Sequence, residues 1–191
     1  MQLRTFLEEE FAALGWEPGL KSLADLEQEY EQLQAVLDTG EDPIGLSESY
    51  IPRLAEETYG QGLKVLSNAR DLMQSVHSSN RDKLEEEIAE LESEVEALRQ
   101  EQVPPERVRY KEETMKSHRE RLSLLDQQQL RVDELLYQAE LCEASLARAH
   151  IELAALHTGD SESSVSTVTH ALQSTIDRAR EVQEELRQLG L

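Results

Sequence analysis

The sequence predicts an all-α fold: an elongated helical bundle carrying a long antiparallel coiled-coil hairpin that turns at residues 103–106. Three observations carry that prediction. Leu, Glu, Gln, Ala and Arg dominate, all good helix formers, while glycine and proline (8 and 5 of 191 residues) gather at a few places. Apolar residues recur at three- and four-residue steps along most of the chain, the period of a helix face. Finally, Val103-Pro104-Pro105-Glu106 separates two long periodic runs. Two prolines cannot sit inside a helix, because each removes a backbone donor and crowds the preceding turn. Pro104 also pushes Val103 out of the α region, whereas Pro105 is suited to open a new helix.

Taken in order, Leu3, Phe6, Leu7, Phe11 and Leu14 share one face of a short amphipathic helix over residues 2–14, with Glu8, Glu9 and Glu10 towards solvent. Gly15-Trp16-Glu17-Pro18-Gly19 ends it, and Trp16 reads as a lid over the end of a bundle. Ser22 is a fitting N-cap for a second helix, in which Leu23, Leu26, Tyr30, Leu33 and Leu37 form a coiled-coil-like seam. Asp38 to Gly45 is a loop by composition. Its acids lack the alternating ligands and terminal Glu of a calcium loop.

Ser47 or Ser49 can cap a third helix with Pro52 in its first turn. From Ile51 to Val76 the apolar stripe is broad enough to meet more than one partner helix, and Gly60 and Gly62 would let another backbone approach. His77-Ser78-Ser79-Asn80 interrupts the pattern, and Ser79 with Asp82 resembles a weak capping box. Leu84, Ile88, Leu91, Val95 and Leu98 then repeat at 4-3-4-3, a seam wide enough for one partner helix.

After the prolines a helix is predicted to run unbroken to about His157. Tyr110, Met115, Leu122 and Leu125 lie on its seam near the turn. From Val132 the stripe widens through Leu135, Leu136, Ala139, Cys142, Leu146, Ala149, Leu153 and Leu156. Residues 82–105 hold nine acids and two bases, net −7, whereas 106–121 hold four acids and six bases, net +2. Folding the chain at the prolines, so that residue i faces about 208 − i, lays these flanks side by side. Each exposed pair contributes only ~0.3–0.5 kcal/mol, so the apolar seam must supply most of the stability and charge selects the register. Thr158 to Ser164 is a turn. Val165, Val168, Leu172, Thr175, Ala179, Val182, Leu186 and Leu189 mark a last helix, and Ile176 adds to its stripe. The expected division is 1–46 as short amphipathic helices on or beside the bundle, 47–79 with 129–191 as the bundle base, and 80–128 as a projecting hairpin.

The composition also narrows function. A formal charge of −21 repels nucleic-acid phosphates and anionic membrane surfaces. No ~18-residue apolar run spans a membrane, and the first residues do not read as a signal peptide. Cys142 is the sole cysteine, which fits a reducing, cytoplasmic setting and a small buried hydrophobe. None of His77, His118, His150, His157 and His170 has an acid three residues before it, so no di-iron pattern exists; no zinc spacing, phosphate loop or nucleophile elbow is present. Ser161, Ser163, Ser164 and Ser166 read as a capping turn beside acids. No cofactor is expected. The sequence points to a non-enzymatic acidic interaction or scaffold protein acting through helix–helix contacts with protein partners or with itself. Two alternatives are an enzyme with a site in the bundle core and a membrane-associated scaffold of hairpin type. The latter resembles phage-shock and vesicle-remodelling proteins in layout, although residues 2–14 lack the basic face of a membrane-surface helix.

Overall fold

The computed structural model describes residues 2–38, 50–101, 103–158 and 165–188, with the backbone alone at 156–158. The expected caps at Ser47 or Ser49, the loop from residue 39, the turn at 159–164 and Leu189 lie outside the described residues. The fold is all-α. Among the described residues six helices follow one another: α1 Gln2–Leu14, α2 Glu17–Leu37, α3 Ile51–Ser78, α4 Arg81–Gln100, α5 Pro105–Thr158 and α6 Val165–Gln188. The chain divides into two compact units, residues 1–70 with 133–191, and residues 71–132. Helices α3 and α5 each contribute to both.

In the first unit α1 stops at a glycine because the chain must turn left-handed there. Gly15 has φ 62°. Its N–H donates to the Ala12 carbonyl and the Trp16 N–H to the Phe11 carbonyl, the paired bonds of a Schellman ending. The hydrophobic contact that accompanies such an ending is present too: the Phe11 and Trp16 rings meet edge-on with centroids 5.1 Å apart. Both side chains are buried. Helix α2 begins directly at Glu17 with Pro18 in its first turn and no side-chain cap. The expected cap, Ser22, is instead a buried residue in the second turn. A proline fixing φ at the start removes the need for a capping side chain.

Helix α3 is the hub of this unit. Tyr59 stacks on Tyr30 of α2 at 4.3 Å, Arg70 lies over Phe6 of α1, and Gln61 accepts from Gln183 of α6 at 2.9 Å. An Arg180–Glu57 ion pair adds a second tie to α6. A Cβ on Gly62 would fall 2.7 Å from the Leu26 side chain and 3.4 Å from Cβ of Cys142, whereas one on Gly60 would meet nothing within 4 Å. Only Gly62 is therefore required by packing, and it makes room for a side chain rather than a backbone. The broad stripe of α3 has the multiple partners its width implies. The fully buried core includes Leu7, Phe11, Leu26, Leu54, Leu66, Leu146 and Leu172. In α1 the face divides: Leu7 and Phe11 are buried, but Leu3 and Phe6 are 37% and 40% exposed.

In the second unit α3 ends at Ser78 and α4 starts at Arg81. The cap is Asn80, whose side chain accepts from the Lys83 N–H at 3.1 Å. Ser79, the expected cap, turns its hydroxyl back to the Ser75 carbonyl, as does Ser78; serine satisfies a local carbonyl readily and so competes poorly here. Helix α4 then pairs antiparallel with the first half of α5.

Candidate functional site

The turn at the double proline is short. Helix α4 ends at Gln100, Pro105 opens α5, and Val103 and Pro104 lie between the helices. The Val103 N–H reaches back to the Leu98 carbonyl and the Arg107 N–H to that of Pro104. Glu106 stands in the first turn of α5, where a negative charge meets the positive end of the helix dipole.

Within the hairpin, Leu84, Ile88 and Val95 are buried, while Leu91 and Leu98 are half-buried. Leu84, Ile88 and Leu125 form one cluster with Met115 and Leu122 packed against it. On α5 Val108, Lys111, Met115, His118, Leu122, Leu125, Gln129 and Val132, spaced in 3-4 steps, are all covered, with Glu112, Gln128 and Arg131 partly covered beside them. Tyr110, expected on this seam, is 62% exposed. Lys111 and His118 hold the seam positions there, and a polar residue at a seam position hides the heptad from an apolar count. The Nδ1 of His118 is buried without a hydrogen-bond partner and lies 3.6 Å from Glu87.

Cross-helix ion pairs fix the register. Arg81 pairs with Asp126 at 2.6 Å, Glu92 with Arg119 at 2.5 Å, Glu94 with Lys111 at 2.6 Å and Arg99 with Glu112 at 2.6 Å. The position numbers in each pair, and in Glu87–His118, add to between 205 and 211, which brackets the register of 208 read from the turn. The seam and turn residues are thus spent on folding the hairpin onto itself.

The surface open to other molecules is different. In the first unit the outer face of α5 shows Tyr137 (52% exposed), Ala144 and Ile151 (66%), each seven residues from the next. A groove lies on either side of this face, and sequence reasoning missed both. One is bordered by α6 and includes Leu141, Ser145, Arg148 and His170. The other is bordered by the start of α2 and includes Ser22, Asp25, Glu140 and Glu143. Burial and then the nearby charges of Asp25, Glu29 and Glu140 raise the Glu143 carboxyl above the usual range, with Lys21 opposing them. Such grooves form where helices diverge, so no spacing along one helix announces them.

Cys142 is fully buried, and burial pushes its thiol up to about 12. A neutral thiol at that depth is a poor nucleophile. Burial likewise raises the phenols of Tyr30 and Tyr59. Among the described residues, no three His, Cys, Asp or Glu side chains are disposed to hold a metal ion, and no helix is long and apolar enough to cross a membrane. No protein-family model matches the chain, and comparison with curated proteins and with solved structures gives no match.

Proposed function

We propose that this is a non-enzymatic, acidic helical interaction or scaffold protein that works through helix–helix contacts, with the outer face of α5 as the contacting surface. One observation carries the reading: Tyr137, Ala144 and Ile151 stand at seven-residue spacing on an exposed helix face, the pattern of a seam that lacks its second helix. The fitting occupant is an amphipathic helix of a protein partner with basic flanks. Asp133, Glu134 and Glu140 border the face and are exposed, and a second copy of a chain with net charge −21 would bring like charges together. The hairpin seam is already filled by its own two arms, and so is not the contact surface.

The test uses a labelled synthetic helix with Leu at its heptad positions and Lys beside them. Tyr137→Glu combined with Ile151→Glu should weaken its binding at least about tenfold, the equivalent of losing ~1.4 kcal/mol. Two added acids would strengthen any purely electrostatic attraction. Binding that is unchanged or tighter in the double variant would therefore sink the reading.

A further inference from the structure

We propose that the outer face of α5 accepts its partner helix in one direction only, because that helix is basic along the flank beside α2 and uncharged along the flank beside α6. The inference rests on the reading of this face as the contact surface and adds a polarity to it.

The two grooves beside the face meet at Ala144, which borders both, yet they differ in charge. On the α2 side Glu17, Asp25, Glu140 and Glu143 stand against one base, Lys21. Burial first, and then the charges of Asp25, Glu29 and Glu140, hold the Glu143 carboxyl above its usual range, and a cation arriving from a partner relieves that crowding. On the α6 side the described lining holds no carboxylate. It holds Arg148, His170 and the hydroxyls of Ser166, Thr167 and Ser174. The Nε of Arg148 donates to Glu152 at 2.6 Å, so this flank is near neutral rather than basic. A lysine brought by a partner therefore meets carboxylates on one side of Ala144 and a guanidinium on the other.

Helix geometry turns that contrast into a direction. With Tyr137, Ala144 and Ile151 counted as successive a positions of a heptad, Glu143 falls at g, and Leu141 and Arg148 fall at e. In a parallel pair of helices the e position of one lies beside the g position of the other. In an antiparallel pair e lies beside e, and g beside g. A partner with lysine at its e positions therefore reaches Glu143 only when it runs parallel to α5. One with lysine at its g positions reaches Glu143 only when it runs antiparallel. In the opposite direction either helix would set its lysines against Arg148. The apolar positions supply the attachment, and the flank charges choose the direction, since exposed ion pairs contribute little each.

The test uses the full chain and two synthetic helices of equal composition, each about three heptads long with Leu at a and d. One carries Lys at e and Gln at g, and the other Gln at e and Lys at g. A nitroxide on each N-terminus broadens the amide signals near it, so Tyr137 and Ile151 report the direction. Both helices should bind. The first should broaden Tyr137 and the second Ile151, with a preference of at least about fivefold, which two or three exposed ion pairs supply. In 1 M NaCl the screening length falls to ~3 Å, and the preference should vanish while binding persists. Asp25→Asn with Glu140→Gln and Glu143→Gln should erase it at low salt in a chain whose circular dichroism is unchanged, and the salt experiment needs no variant. Binding of both helices in the same direction, or without a preference, would overturn this inference and leave the contact surface standing. No saturable binding of either would overturn both. Light scattering of the chain alone should give a monomer, and a dimer that Ala144→Glu dissociates would show a second copy on the face and overturn the proposal.

Discussion

The two units solve the same problem with different materials. Among the described residues, every one of the largest fully buried side chains, from Leu7 to Ile176, belongs to the unit formed by residues 1–70 and 133–191. In the unit of residues 71–132, Leu72, Leu84, Ile88, Val95 and Leu125 retain 4–9% exposure, and Val132 is fully buried. This unit adds surface ion pairs around its seam. Burial is non-directional and strong, so the first unit can tolerate divergent helices and open grooves. Exposed ion pairs contribute little each but penalise a shifted register, so the second unit is specified more than it is stabilised. A surface offered to other molecules is better placed where the scaffold is already held by its core.

That contrast can be broken most directly from the core side. Leu66→Ala removes a fully buried side chain and should cost about 2–5 kcal/mol in urea unfolding. Leu98→Ala, at a half-buried seam position, should cost less than about half as much. Comparable losses would mean that the hairpin seam packs as firmly as the bundle.

The glycines of α3 sharpen the same point with a single methyl group. Gly62→Ala pushes a Cβ to 2.7 Å from Leu26 and should destabilise by about 1–3 kcal/mol through overpacking, less the ~1 kcal/mol that alanine returns to a helix. Gly60→Ala meets nothing within 4 Å and should stabilise by about 0.5–1 kcal/mol. Thermal melts of the two variants should move in opposite directions. Movement the same way would show that Leu26 yields freely to the new methyl group.

How much of this was legible in the sequence depends on what each feature rests on. The all-α class, the break at Pro104-Pro105 and the hairpin register follow from backbone chemistry and charge order, which a linear chain displays. The caps misled because Ser22, Ser79 and Asn80 are equally able to cap, and the choice among them depends on where the preceding helix stops. Tyr110 misled because Lys111 and His118 occupy seam positions, and long polar side chains can lay their apolar stems along a seam while the charge reaches out. The grooves beside α5 were illegible for a different reason. Ser22 and Glu143 are 121 residues apart, and nothing local marks a buried hydroxyl that has lost its carbonyl.

His118 offers a smaller effect with the opposite sign. Its buried, unpartnered nitrogen sits among Met115 and Leu122, so His118→Leu should stabilise the hairpin by about 1 kcal/mol, by removing an unsatisfied polar atom and extending the seam. The measurement is hydrogen exchange of α4 amides, which should slow. Faster exchange would mean that the contact with Glu87, although 3.6 Å long, holds the arms together.

The smallest effect separates the units by salt. A double-mutant cycle on Glu92 and Arg119, both about half exposed, should give a coupling of about 0.2–1 kcal/mol at low salt. In 1 M NaCl the screening length falls to ~3 Å, and that coupling should nearly vanish. Arg4 and Glu27 form the matching pair of the first unit, with side chains only 32% and 26% exposed. Two guanidinium nitrogens of Arg4 donate to one Glu27 oxygen, at 2.7 and 2.9 Å. Their coupling should keep a larger share of its low-salt value, because counter-ions reach covered charges less well. If both couplings fall by the same fraction, the ion pairs of the two units do the same work, and the difference between the units lies in the apolar seam alone.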